Sequence, residues 1–180
     1  MSTPFSLQVP RRLYQEMLDQ ARAELPNECC GLFAGIIFTG EVSPARKKVT
    51  SLKRKRRSPS LALQACGEPL GCRGKSKQVG RVVQRYSLVN AAAAPKLFES
   101  EANSTFAAHK DMRRCGTDIL AVYHSHPTSA PVPSKTDLER NYSSEVVNLI
   151  ISLEGEEPFV RGWWLTKTDY REAKWVVVDG

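Results

Sequence analysis

Several things are scarce in this sequence, and each scarcity narrows what the chain can be. No run approaches the roughly 18–20 uninterrupted apolar residues that a membrane-crossing helix needs, so no membrane partner is expected. Cysteine is sparse and odd in number: five, of which Cys29 and Cys30 are adjacent. That count does not pair into the disulfide framework of a small secreted domain, and reduced thiols are expected. The opening MSTPFSLQVPRR puts its basic pair after a short mixed segment. A secretory signal has the opposite order, with charge before the apolar stretch. These readings together point to the cytoplasm. Histidine is scarcer still, at three, so any two of them at a functional spacing carry weight.

Acidic residues are outnumbered, with 19 Asp/Glu against 26 Lys/Arg and a net charge of +7. Between Arg46 and Arg81, however, 12 Lys/Arg meet one acid, Glu68, for a local +11; the remaining chain has 14 Lys/Arg against 18 Asp/Glu, or −4. The basicity belongs to one segment, and the rest reads as a slightly acidic globular domain. KRKRR at 53–57 would neutralise several phosphates. It lacks interleaved aromatic residues for base stacking, so nucleic-acid contact there would be sequence-independent and salt-sensitive, and a solvated loop is the simpler reading.

What is present suffices for a core. Apolar residues make up 41% of the 180, with six Phe, five Tyr and three Trp, and that length suits a single domain. From Pro10 to Glu24, Leu13, Met17, Ala21 and then Leu25 recur every four residues, with Tyr14 and Leu18 widening the stripe, which predicts an amphipathic helix stopped by Pro26. CCGLFAGIIF, Cys29 to Phe38, is short and apolar and predicts a buried strand with Glu28 at its mouth. From about Gly40 to Gly80 periodicity vanishes, so a basic insertion at about 41–80 is expected within one domain spanning 1–180.

Strand character returns at Arg81 to Asn90. A helix capped by Asn103 or Ser104 is expected to run to about Arg114, burying Phe106, Ala107 and Met112, with Gly116 as its stop. TDILAVYHSHP then reads as a strand, Ser134 opens a short helix to about Tyr142, and Val146–Leu153, Phe159–Thr166 and Trp175–Val178 read as further strands. Trp163 and Trp164 must point to opposite faces of theirs. Helices alternating with strands predict an α/β domain.

The chemistry concentrates after position 120. His124 and His126 lie one residue apart on a predicted strand, so their imidazoles project to the same side, and Ser125 faces away. Pro127, Pro131 and Pro133 stiffen the return toward Asp137, whose carboxylate is placed to join them. Two histidines, an aspartate and one open position form the ligand set of a catalytic zinc, in contrast to the closed four-ligand sites that serve structure.

HSHPTSAPVPSKTD at 124–137 matches the pattern H-x-H-P-x-x-x-x-x-x-S-x-x-D without gap or substitution. In this the chain resembles the JAMM (MPN+) metalloproteases, and NECCGLFAG at 27–35 resembles their early glutamate-bearing strand. The resemblance covers nearly everything outside 41–80. It implies a mixed β-sheet flanked by helices, of cytidine-deaminase-like type. It implies one Zn²⁺ per chain held by His124, His126 and Asp137, Glu28 as general acid/base, and Ser134 as donor to the developing oxyanion. It also implies hydrolysis of an amide bond after the C-terminal Gly-Gly of a ubiquitin-like or sulfur-carrier protein.

Each residue also has a plainer reading. Ser134 and Asp137 form an S-x-x-D capping box with or without metal; a bare H-x-H arises often by chance; a glutamate opening a strand is ordinarily solvated. Their conjunction favours the metal site. A catalytically silent binding or scaffold module of the same fold, with nucleic-acid contact through the insertion, is the competing function. His109 carries no site role, Cys29 and Cys30 suit a buried strand, and Cys66 and Cys72 do not match a zinc-knuckle spacing.

Overall fold

The computed structural model describes residues 5–39, 78–92, 94 and 98–179. The segment expected as a basic insertion, with Cys66 and Cys72, falls almost wholly outside them. Eleven elements are described: β1 (Ser6–Pro10), α1 (Arg11–Ala23), β2 (Cys30–Thr39), β3 (Gln78–Leu88), α2 (Ala102–Cys115), β4 (Asp118–His126), α3 (Lys135–Arg140), β5 (Val147–Ser152), β6 (Phe159–Leu165), β7 (Tyr170–Glu172) and β8 (Trp175–Val178).

The strands form one mixed sheet in the order β7-β6-β5-β4-β2-β3-β1-β8. Its centre is the antiparallel pair β2/β4, with Cys30 opposite His124, flanked by the parallel pair β4/β5, with His124 opposite Ile150. The sheet curls: Phe5, just before β1, meets Trp164 of β6 edge-on at 5.1 Å, although four strands lie between β6 and β1 in the sheet order. This is the expected α/β domain, a mixed sheet flanked by helices.

Strand alternation sends each sheet face to a different helix. Leu7, Val9, Phe33, Tyr123, Leu149, Ile151 and Trp164 pack with Leu13, Met17, Leu18 and Ala21 of α1, the stripe read from sequence. Leu25 is exposed instead, because the helix ends at Ala23. On the other face Cys30, Leu32, Leu88, Val122 and Val146 pack with Ala108 and Met112 of α2. The expected burial of Phe106 and Ala107 is corrected here: both are exposed, since the docking face is set by the i, i+4 pair one residue further on. Glu101, not Asn103 or Ser104, caps α2, accepting from Ser104 N–H. Gly116 ends it in the left-handed conformation at φ 65°, where a side chain is disfavoured.

β1 and β7 had no strand signal. β1 offers only the alternation Leu7/Val9, and its partners are remote: β3 at Ser6↔Val79 and β8 at Leu7↔Trp175, both parallel. The two tryptophans point to opposite faces and both are buried. Trp164 enters the α1-side core, whereas Trp163 joins Ile150, Leu165, Val132 and Leu138 beneath α3.

Candidate metal centre

The end of β4 displays the two histidines on the α2/α3 face and turns Ser125 to the other. There Ser125 Oγ accepts from Cys29 N–H at 2.8 Å, which fastens β4 to the start of β2 and keeps Ser125 away from the histidine side. The chain then turns through Pro127 to Pro133 into α3. Ser134 is the N-cap and Asp137 the third helical residue of a complete capping box. Ser134 N–H and Oγ–H both donate to Asp137 Oδ2, at 2.7 and 2.6 Å, and Asp137 N–H donates to Ser134 Oγ at 3.2 Å. The box aims the carboxylate at the histidines: Oδ1 lies 3.3 Å from His124 Nε2 and Oδ2 lies 3.8 Å from His126 Nε2.

The donor atoms fit a cation. His126 Nδ1 lies 3.0 Å from the Ala130 carbonyl oxygen, which only accepts, so Nδ1 carries a proton and the neutral ring presents Nε2 as its ligand atom. Burial holds His124 below the ordinary histidine range against the opposite pull of Asp137, and His126 adds to the lowering, which favours the neutral imidazole that a metal needs. The two Nε2 atoms approach to 3.2 Å. Nitrogens each about 2.05 Å from a tetrahedral zinc lie about 3.3 Å apart. Ligand atoms of His124, His126 and Asp137 all fall within 4.8 Å of one another, forming a group able to hold a metal ion.

His124 is fixed by packing more than by hydrogen bonding. The Phe98 ring stacks on it at 4.6 Å and 24°, and its Nδ1 is buried without a partner among the described residues. Nothing in the sequence around Phe98 signalled this contact.

Glu28 opens onto the same cavity. Its backbone is pinned by N–H donation to the Ala94 carbonyl at 3.1 Å and by Asn90 Nδ2 donating to its own carbonyl at 2.8 Å. The residue is 6% exposed. Burial, and then the charge of Asp137, raise its pKa from 4.5 to about 8. A carboxyl poised near neutrality suits the taking and giving of protons.

A cavity of about 450 Å³ is lined by Glu28, His124, His126, Ser134 and Asp137 together, so the structure gathers every site residue singled out from the sequence. Leu88, Phe98 and Val122 form an apolar side of this cavity, and Asn148 a polar point within it. Asn148, a buried amide among the apolar residues Val147, Leu149, Ile150 and Ile151 of β5, is a signal the sequence reading passed over. Arg140 Nη1 and Glu99 Oε2, both on the lining, lie 3.9 Å apart. Cys29 and Cys30 are buried thiols pushed up to about 12 by burial, unsuited to act as thiolates. His109 is exposed on α2.

A profile of the family described as prokaryotic homologs of the JAB domain matches residues 10–166. The chain belongs to the prokaryotic JAB family. Two curated relatives of this JAB protein carry the name desampylase. That of Haloferax volcanii is 31% identical over 112 residues, 62% of this chain and 78% of the relative. That of Pyrococcus furiosus is 27% identical over 119 residues, 66% and 79%. In fold, the JAB chain is similar to the solution structure of a Desulfitobacterium hafniense protein, with a TM-score of 0.66, 24% identity and coverage of 97% and 94% of the two chains. It is also similar to that of a Salinibacter ruber protein, with a TM-score of 0.54, 19% identity and coverage of 96% and 91%.

Proposed function

We propose that the chain is a zinc-dependent isopeptidase that holds one Zn²⁺ through His124, His126 and Asp137. Its substrate is the amide bond after the C-terminal Gly-Gly of a ubiquitin-like or sulfur-carrier protein. The observation that carries the reading is the convergence of two imidazole Nε2 atoms and a carboxylate, at near-tetrahedral spacing, in one cavity with a buried glutamate. Membership of the JAB family and the relatives named desampylase support a protein-modifier conjugate as substrate. The free, buried Cys29 and Cys30 fit a reducing, cytoplasmic setting.

A zinc ion bound there supplies Lewis acidity, polarising the amide carbonyl and acidifying water. Glu28 takes the proton from the attacking water and returns it to the leaving amine nitrogen, roles its raised pKa matches. Asp137, held by the capping box, balances charge at the centre. The Ser134 hydroxyl, turned from Asp137 toward the substrate, would donate to the oxyanion as the carbonyl becomes tetrahedral.

The complete ligand set argues against a silent scaffold, and the nucleic-acid reading rests on residues outside those described. The test is metal analysis of the purified protein, with cleavage of a ubiquitin-like modifier joined to a lysine side chain. Stoichiometric zinc, loss of cleavage on chelation and an inactive Glu28→Gln are expected. Absence of bound zinc together with undiminished cleavage by Glu28→Gln would sink the proposal.

A further inference from the structure

The face that carries the metal centre also buries Trp163, two strands away on β6, and its indole reaches the loop between the ligands. Trp163 Nε1–H donates to the Pro131 carbonyl at 2.9 Å. One residue earlier, the Ala130 carbonyl accepts from Val132 N–H at 2.8 Å, an i, i+2 bond centred on Pro131. That same carbonyl meets His126 Nδ1 at 3.0 Å. A continuous path therefore runs from the indole through a proline-centred tight turn to the ring nitrogen opposite the ligand atom of His126. Trp163 also forms, with Ile150 and Leu165, the cluster against which Val132 and Leu138, the residue after Asp137, pack. The indole is itself held by the Arg161 guanidinium over its ring at 4.2 Å and by Tyr170 edge-on at 5.2 Å.

We infer that Trp163 is a positioning residue of the metal centre, fixing the tautomer and aim of His126 through the 130–132 turn and seating Asp137 through Leu138. The inference rests on the reading of His124, His126 and Asp137 as ligands. Groups that orient ligating histidines typically cost 10–100-fold in metal affinity when lost. The molecule supplies its own control: Trp164, next in sequence, is equally buried, and its Nε1 has no partner among the described residues. Replacing either indole by phenylalanine removes similar volume, but only one replacement removes a bond to the ligand loop.

The experiment compares wild type, Trp163→Phe and Trp164→Phe by Co²⁺ titration against a chelator and by the visible spectrum of the Co²⁺ forms. Trp163→Phe should bind roughly 10–100-fold more weakly, with a changed ligand-field spectrum. Trp164→Phe should keep affinity and spectrum even where its melting temperature falls. Equal affinity and spectrum for Trp163→Phe and wild type overturn the inference, as do equal losses in both variants. If Trp163→Phe does not fold, exchange of the indole Nε1–H in the wild type decides: added Zn²⁺ should slow it, and an unchanged rate overturns the inference. A wild type that binds no metal removes this inference along with its premise. Binding without isopeptidase activity removes only the proposed function.

Discussion

At the scale of single residues, the site depends on protons being where the chemistry needs them. Glu28 is the clearest case, because its folded pKa of about 8 stands above the ordinary 4.5. A carboxyl raised in this way contributes stability that is fully present below about 4.5 and is lost as pH rises through about 8. Glu28→Gln, which does not ionise, should therefore gain on wild type in the metal-free form as pH rises. The expected difference is a melting temperature higher by roughly 2–4 °C at pH 8.5, the shift that about 1 kcal/mol gives a chain of this size, shrinking toward pH 5. Taking the difference between the two proteins cancels the opposite trend of His124. If the gap is the same at both pH values, the carboxyl is not buried as described. In the metal-loaded form the same substitution should lower kcat by roughly 10²–10⁴ while leaving zinc content unchanged. Of these residues, His124, His126, Ser134 and Asp137 were legible because one strand, one turn and one helix start place them within fourteen positions. Glu28 came only through resemblance, since its approach is made by β2/β4 pairing across a long stretch of sequence. Phe98 and Trp163 were not legible as site residues, because a stacking ring and an anchoring indole look like any core aromatic.

At the scale of elements, α3 is too short to be held by propensity, and the capping box does two things at once. It supplies acceptors for the helix-start N–H groups, and it fixes the carboxylate that faces the histidines. Ser134→Ala removes the hydroxyl that serves both, leaving only the backbone N–H of position 134 on Asp137 Oδ2, so it should destabilise by about 1 kcal/mol and also weaken Co²⁺ binding, which a helix-cap effect remote from the ligands would leave unchanged. Thermal melting and metal titration on the same preparation separate the two. β2 imposes a different constraint. A Cβ at Gly31 would lie 2.1 Å from the Tyr123 hydroxyl oxygen and 2.5 Å from the Tyr86 carbonyl oxygen. The Tyr123 hydroxyl cannot yield freely, since it donates to Gln20 Oε1 at 2.6 Å and accepts from Arg85 Nη1 at 2.9 Å. Gly31→Ala should cost at least the roughly 1–3 kcal/mol of an overpacked core, read as a fall in melting temperature. Element types were legible wherever periodicity was strong, as in α1 and β4. β1 was missed because it is defined by parallel partners far along the chain, and the face of α2 was misplaced because Phe106 is the more apolar residue but not the one that docks.

At the scale of the whole molecule, two connections bear on function. The first is the β2/β3 pair, whose register runs to Thr39↔Gln78. The ends of the intervening segment thus lie side by side as strand partners, so its loop-closure cost is met by a hairpin that would form without it. Replacing 40–77 with Asn-Gly, a pair suited to a two-residue hairpin turn, should leave melting temperature and Co²⁺ affinity near those of the full chain. Loss of either would show that the segment belongs to the domain and not to an insertion within it.

The second connection is the metal centre itself, which joins the end of β4 to the start of α3 across a proline-rich loop. A cation bound to the folded chain alone stabilises it by mass action, about 2.7 kcal/mol at a hundred times its dissociation constant, or roughly 5–10 °C for this size. Zinc should therefore raise the melting temperature by that order and chelator should reverse it. In Asp137→Asn, which keeps an amide oxygen and loses the charge, most of the increment should disappear. His109→Gln changes an exposed histidine on α2 and should retain it in full. A zinc-dependent rise of equal size in wild type and Asp137→Asn would mean that the ion binds elsewhere, and the three convergent donors would then have no metal to explain their spacing.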